Sequence, residues 1–233
     1  MTTSDLLDHA EALIRERRAV RAYRPDPVPE ATLRAVFSLA TAAPSNANTQ
    51  PWHVEVVSGA ARDRLSADLL AAHAANRIST DFPYDDGLYQ GVHARRRVEA
   101  GRTMYGALEI ARDDVEGRRA YDAESLGFYG APHVALLFTP VNAEARVAAD
   151  IGMYSQTLLL ALTAHGIASC PQGLLGFYAS TIRESLGVRD RKVLFGVSFG
   201  YADDTAPINR ITIPRAPLER RPGSTPSPTR TRP

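Results

Sequence analysis

Apolar and polar positions along this chain fall into blocks of changing period. Leu6, Leu7, Ala10, Leu13 and Ile14 recur at helical spacing after Ser4 and Asp5, which predicts an amphipathic N-terminal helix running into "RERRAVRAYRP". Pro25, Pro27 and Pro29 break the chain, and 30–43 reads as a second helix. "WHVEVVSG" is β-branched and ends on Ser58 and Gly59, as a strand does, and an Ala-rich helix is expected over 60–76. "HVALLFTP" and "KVLFGVSFG" are continuous apolar runs of strand length, and "RITIP" is a shorter one. Residues 143–166 predict a long helix closed by Gly166. Ala148, Ala149, Ile151, Met153, Tyr154 and the run from Leu158 to Leu162 make that helix apolar on nearly every side, so a partner subunit is expected to bury part of it.

Helices and strands mix here without the regular βαβ alternation of a doubly wound fold. The expectation is therefore α+β, a small central mixed sheet flanked by helices in one domain over 1–221. Residues 79–130 are polar, with helix expected around 94–112, and read as an excursion from that domain. Residues 222–233 form a Pro, Ser, Thr and Arg tail with no core of its own.

Composition changes this picture mainly by exclusion. With 44% apolar and 23% charged residues the chain is ordinary for a soluble globular protein. A net charge of +1 supplies no field for nucleic acid or an anionic membrane. The local run "ARRR" at 94–97 is offset, because 95–125 hold seven Arg and seven Asp plus Glu, as in a solvated, salt-bridged helical surface. No 18-residue uncharged apolar run predicts a spanning helix, and the acidic opening "MTTSDLLDHAEAL" does not fit a signal peptide. One cysteine permits no internal disulfide and suits a reducing, cytoplasmic setting.

Three stretches could carry chemistry. In "RRAVR", Arg17 and Arg21 would share a helix face with Arg18 beside them. They read either as cations meeting a helix C-terminus or as a guanidinium clamp on phosphate. "APSNANTQPW" packs Ser45, Asn46, Asn48, Thr49 and Gln50 between Pro44 and Pro51. It is either a plain turn or a reader of a heteroaromatic ring edge bearing carbonyls and ring nitrogens. In "CPQGLLGFY", Pro171 and Gly173 bracket Gln172, so backbone N–H groups could face a cleft. The alternative is an ordinary helix-to-helix connection. Cys170 reads as a small buried hydrophobe. No Gly-x-Gly-x-x-Gly, no Walker lysine loop, no Gly-x-Ser-x-Gly and no metal-ligand histidine spacing appear.

Taken in order, "RRAVRAY", "APSNANTQPW", "DIGMYSQTLLLA" leading to "PQG", and "NRITIPRAPLE" resemble the nitroreductase family of flavin enzymes, over roughly residues 17–219. The resemblance implies a sandwich-like α+β fold and an interlocked homodimer with two FMN sites at its interface. By position, Arg17, Arg18 and Arg21 would hold the phosphate, ribityl chain and N1/O2 side. Pro44, Ser45, Asn46, Asn48 and Gln50 would come from the opposite subunit. Pro171, Gln172 and Gly173 would lie near N5, and Arg215 would return to the phosphate. Trp52 would anchor the loop's exit in the core.

Two positions depart from the family's usual pattern: Ala19 where Ser is common, and Gln172 where Glu is common. The resemblance further implies ping-pong hydride chemistry, with NAD(P)H as reductant and a small aromatic acceptor, nitroaromatic or quinone. Another acceptor (enone, flavin, halogenated aromatic) and a flavin-binding protein without turnover are the alternatives. The 79–130 excursion would roof the pocket, with Tyr84, Tyr105, Phe128 and Tyr129 as candidate walls.

Overall fold

Four strands form one sheet in the order β1-β2-β4-β3, where β1 is His53–Ser58, β2 His133–Pro140, β3 Ala168–Gln172 and β4 Arg191–Gly200. The described residues also form seven α-helices: α1 (Thr3–Glu16), α2 (Glu30–Ala40), α3 (Gly59–Ala74), α4 (Val92–Ala107), α5 (Val115–Leu126), α6 (Ala145–Ala164) and α7 (Ala179–Leu186). The fold is α+β. The structure is a computed structural model that describes residues 2–217, so the expected tail at 222–233 lies outside the described residues.

The central strand β2 explains its own sequence. It is covered on both faces, so an unbroken apolar run is required. Its period of two sorts the core. Val134, Leu136 and Phe138 pack with Leu65 and Leu69 of α3, Leu126 of α5 and Ile182 of α7. Ala135 and Leu137 pack on the other face with Val36 of α2 and with Ile151, Leu158 and Leu162 of α6. A bulge between Leu137 and Phe138 shifts the register against β4.

All named strands pair antiparallel, which corrects the expected mixed sheet. The crossover β2-α6-β3 leaves two parallel strands one position apart, and β4 fills the gap antiparallel to both. Among the described residues, parallel pairing occurs only as isolated bridges, Ala19 to Ser169 and Ser79 to Tyr178. "RITIP" lies outside any strand. The stretch whose alternative reading is a helix-to-helix connection begins inside strand β3, and its Pro171 is tolerated because β3 is the outermost strand.

The excursion is narrower than 79–130. Ser79 bridges Tyr178, the Asp81 carboxylate accepts from the Val193 N–H at 2.8 Å and pairs with Arg183, and Tyr121, Leu126 and Phe128 are core residues. By contrast, α4 buries none of its residues. Helix α1 starts on a Thr2/Asp5 capping box and buries none either, although Leu6, Leu7 and Ile14 face outward. Helix α6 is long and apolar enough to cross a bilayer, but Ile151, Tyr154, Leu158, Leu159 and Leu162 are buried in the core.

Candidate functional site

The arginine segment is extended, not helical. Helix α1 stops at Glu16, and Arg17 caps it with φ −58° and ψ 116°. The backbone then runs along the free edge of β3, where the Val20 N–H donates to Ser169 O at 3.0 Å. Pairing with an edge strand has overridden the helical spacing, so Arg17 and Arg21 share a side by the period of two rather than by a helix turn. Asn209 completes the fixation. Its Oδ1 accepts from the Arg21 N–H at 2.8 Å, its Nδ2 donates to Ala22 O and Asp203 O at 2.8 Å each, and its own carbonyl accepts from Arg18. Arg18 is the outer member, 3.9 Å from Asp204. Arg17 and Arg21 are half-buried, and among the described residues neither has a carboxylate partner.

The loop 44–52 is anchored through its backbone and displays its side chains. The Asn46 N–H donates to Asp150 Oδ1 of α6 at 3.0 Å, and the Gln50 N–H donates to Ser45 Oγ at 2.9 Å. Trp52 stacks on Tyr154 with centroids 4.9 Å apart, which places it where the sequence puts it, at the loop's exit into the core. Ala47, Asn48 and Gln50 hold φ of 50°, 55° and 46°, a region that costs a side-chain-bearing residue about 1–3 kcal/mol. Pro44, Asn46, Asn48 and Gln50 stay exposed, and Ser45 is half-buried. Among the described residues, no hydrogen bond or ion pair joins this loop to the arginine segment of the same chain.

At the end of β3 the strand alternation separates the three expected residues. Pro171 and Gly173 face outward, and a Cβ added at Gly173 would meet open space. Gln172 turns inward at 3% exposure. Its Nε2 donates to Ser125 O and Oγ at 2.6 and 3.0 Å, and its Oε1 accepts from the Ser198 hydroxyl. Its amide is spent in the core, so what this segment offers outward is backbone. Cys170 is buried next door, and burial pushes its thiol up to about 11, which keeps it neutral.

The four aromatic candidates divide. Tyr84 and Arg215 help line a cavity of about 720 Å³ between α4 and residues 213–216, together with Tyr89, His93 and Arg96. Tyr105 and Tyr129 instead gather round Tyr121, at ring-centroid distances of 5.7 and 5.9 Å. Phe128 has no exposed surface and carries the Arg62 guanidinium 5.3 Å above its ring, so it is core and not a wall. Asn209 and Asp150 were both missed as site-building residues. Each lies inside a quoted motif, and each is a polar side chain buried at 3–4% that spends its acceptor on a site backbone.

A family model described as "Nitroreductase family" matches residues 14–201. The chain is 64% identical over 216 residues to "Nitroreductase NfnB" of Mycolicibacterium smegmatis, covering 93% of this chain and 92% of that protein. It is 34% identical to a "4-nitrobenzoate reductase" of Pseudomonas putida, covering 90% and 92%. The crystal structure of the FMN-dependent nitroreductase NfnB from Mycobacterium smegmatis in complex with NADPH superposes with a TM-score of 0.90, covering 91% of this chain and 96% of that one.

Proposed function

The chain belongs to the nitroreductase family, and from that premise we propose that it is an FMN-dependent enzyme that uses NADPH to reduce nitroaromatic acceptors. The observation that carries the reading is the arginine segment. Two half-buried guanidinium groups without a carboxylate partner among the described residues are costly unless an anion completes them. The fit to FMN is chemical. Arg17 and Arg18 present fork donors suited to a phosphate. Arg21 presents positive charge to a heteroaromatic edge, and Asn46, Asn48 and Gln50 present exposed amides. The outward backbone of Pro171–Gly173 presents no bulk. Bound FMN supplies the two-electron hydride chemistry. The protein's residues bind it, orient it and shield it, and neither an acid–base triad nor the neutral Cys170 thiol is called on.

The working unit is a homodimer with each flavin shared between protomers. Helix α1 keeps Leu6, Leu7 and Ile14 exposed, and α6 shows an outward stripe of Ala149, Gly152, Met153 and Gln156. The loop 44–50 reaches no arginine of its own chain, which suits donation across an interface. The segment 82–120 serves as a roof over the acceptor pocket, with Tyr84 on its inner side. A cytoplasmic setting suits the free thiol.

The test is the visible spectrum of the purified protein, followed by NADPH consumption with and without nitrobenzoate. Two flavin bands and a nitroaromatic-stimulated rate are expected. A colourless protein that takes up no added FMN would overturn the reading.

A further inference from the structure

Helix α4 packs no side chain into the core, since none of its residues is buried. It nevertheless has an ordered side. His93, Arg96, Arg97, Ala100 and Thr103 recur at helical spacing, and all five line the cavity of about 720 Å³ that faces residues 213–216. The first turns of that side are cationic and the later ones small. The salt-bridged surface expected for this stretch fails at Arg96, whose side chain has no carboxylate or hydrogen-bond partner among the described residues. Three arginines (Arg96, Arg97 and Arg215) thus line the cavity against one carboxylate, Glu99, in a chain whose net charge is +1.

The wall between these cations is aromatic. Tyr84 and Tyr89 each keep 44% of their surface exposed and both line the cavity. Tyr84 meets Phe177 edge to face with centroids 4.9 Å apart, and the Arg97 guanidinium lies 5.4 Å over the Tyr89 ring. Tyrosine rings offer a planar base a stacking surface, and an unpaired guanidinium fork suits a phosphate. Volume separates the possible occupants. About 150 Å³ is enough to take up benzene, so a single-ring acceptor would fill only a small part of this space. None of Arg17, Arg18 and Arg21 lines the cavity, so it is distinct from the arginine segment. Arg215 already donates from Nη1 to Ile213 O at 2.7 Å, which leaves Arg96 as the arginine of this wall with its whole fork available.

We propose that this cavity is the subsite for the adenosine half of NADPH, with Arg96 and His93 holding its 2′-phosphate and a tyrosine ring carrying the adenine. Arg96 is then the residue that selects NADPH over NADH, since the two reductants differ by that phosphate alone. This rests on the reductant reading above.

The experiment uses the full-length, FMN-loaded wild type, Arg96→Gln and Arg96→Lys. Calorimetry measures binding of adenosine 2′,5′-bisphosphate and of 5′-AMP, and steady-state kinetics measure KM and kcat with NADPH and with NADH. The wild type is expected to bind the bisphosphate at least about tenfold more tightly than 5′-AMP, with a preference that shrinks as salt rises. Arg96→Gln should lose about tenfold for the bisphosphate and less than about twofold for 5′-AMP. Its KM for NADPH should rise by the same factor toward that for NADH, with kcat little changed. Arg96→Lys should fall between the two, because a point charge replaces only part of the fork. Equal wild-type affinity for the two nucleotides overturns the proposal. So does an Arg96→Gln variant that keeps the preference. A variant that weakens 4-nitrobenzoate but not the bisphosphate assigns the cations to the acceptor, which also overturns it. A wild type that binds no FMN sinks the flavin reading itself, whereas a flavin-bound wild type indifferent to the 2′-phosphate sinks only this inference.

Discussion

Gln50 and Gln172 carry the same amide beside a proline, and the fold treats them oppositely. Gln172 sits in a strand, where alternation sends it inward, and burial then demands three hydrogen bonds from Ser125 and Ser198. Gln50 sits in a loop at φ 46°, exposed, with one long bond from its Nε2 to Asn48 O at 3.3 Å. Each lies in a quoted motif of the candidate site. One amide is spent inside the core and the other is presented outward, where a ligand could meet it. Polar density alone does not separate these roles; the side on which a backbone presents each group does.

The largest effect expected is on the inward member. Gln172→Ala leaves two serine hydroxyls and a carbonyl short of partners inside the core, and should lower the unfolding free energy by about 3–5 kcal/mol. Gln50→Ala should stay within about 0.5 kcal/mol. Chemical denaturation of the pair measures the contrast, and equal losses would abolish it.

Next in size is Arg17→Ala. It removes charge-assisted hydrogen bonds of roughly 1.5–3 kcal/mol each from the ligand side while touching no side-chain partner among the described residues. FMN retention at micromolar protein should therefore fall tenfold or more with little change in melting temperature. A mutant that melts early but keeps its flavin would move Arg17 to the shape-holding side.

Asn48→Gly sharpens the comparison within the loop. Glycine accepts φ 55° without strain, so stability should hold or rise by up to about 1 kcal/mol, while FMN affinity drops with the lost amide. Calorimetry and flavin titration on one sample read both arms. A loss of stability with unchanged affinity would reverse the assignment.

The smallest effect concerns pH and the inward region alone. His133 accepts the Val28 N–H at 2.9 Å through Nε2, shares a 2.5 Å contact with Ser58 Oγ and stacks on Phe199. Burial lowers its pKa. Its contribution is complete above the ordinary histidine value and is lost as pH falls toward the depressed folded one, because the unfolded chain takes up the proton first. Stability should decline from pH 7 toward pH 5, and His133→Gln should flatten that slope. An equal slope in the variant would assign the decline to other groups.

Much of this arrangement was legible in the sequence, and the failures share a cause. Strands β1, β2 and β4 announced themselves because covered faces demand β-branched or apolar runs. Helix α6 did so because its period is long and uninterrupted. The arginine segment misled because the positions 17 and 21 share a side under either period, helical or extended, and the neighbour that decides, Ser169, lies about 150 positions on. Strand β3 was hidden by its proline. Gln172, which the resemblance sets near N5, points its side chain into the core, and its flanking glycine and proline conceal the strand alternation that turns it there.

Asn209 closes a long loop of the polypeptide, accepting from the amide of Arg21 and donating to the carbonyl of Ala22 from 188 and 187 positions away. A ribosome delivers residue 21 long before residue 209, so the arginines emerge first and stay without this clamp until Asn209 has been added. A chain cut before residue 209 would lose both of those hydrogen bonds and, with them, the distant tether of the arginine segment.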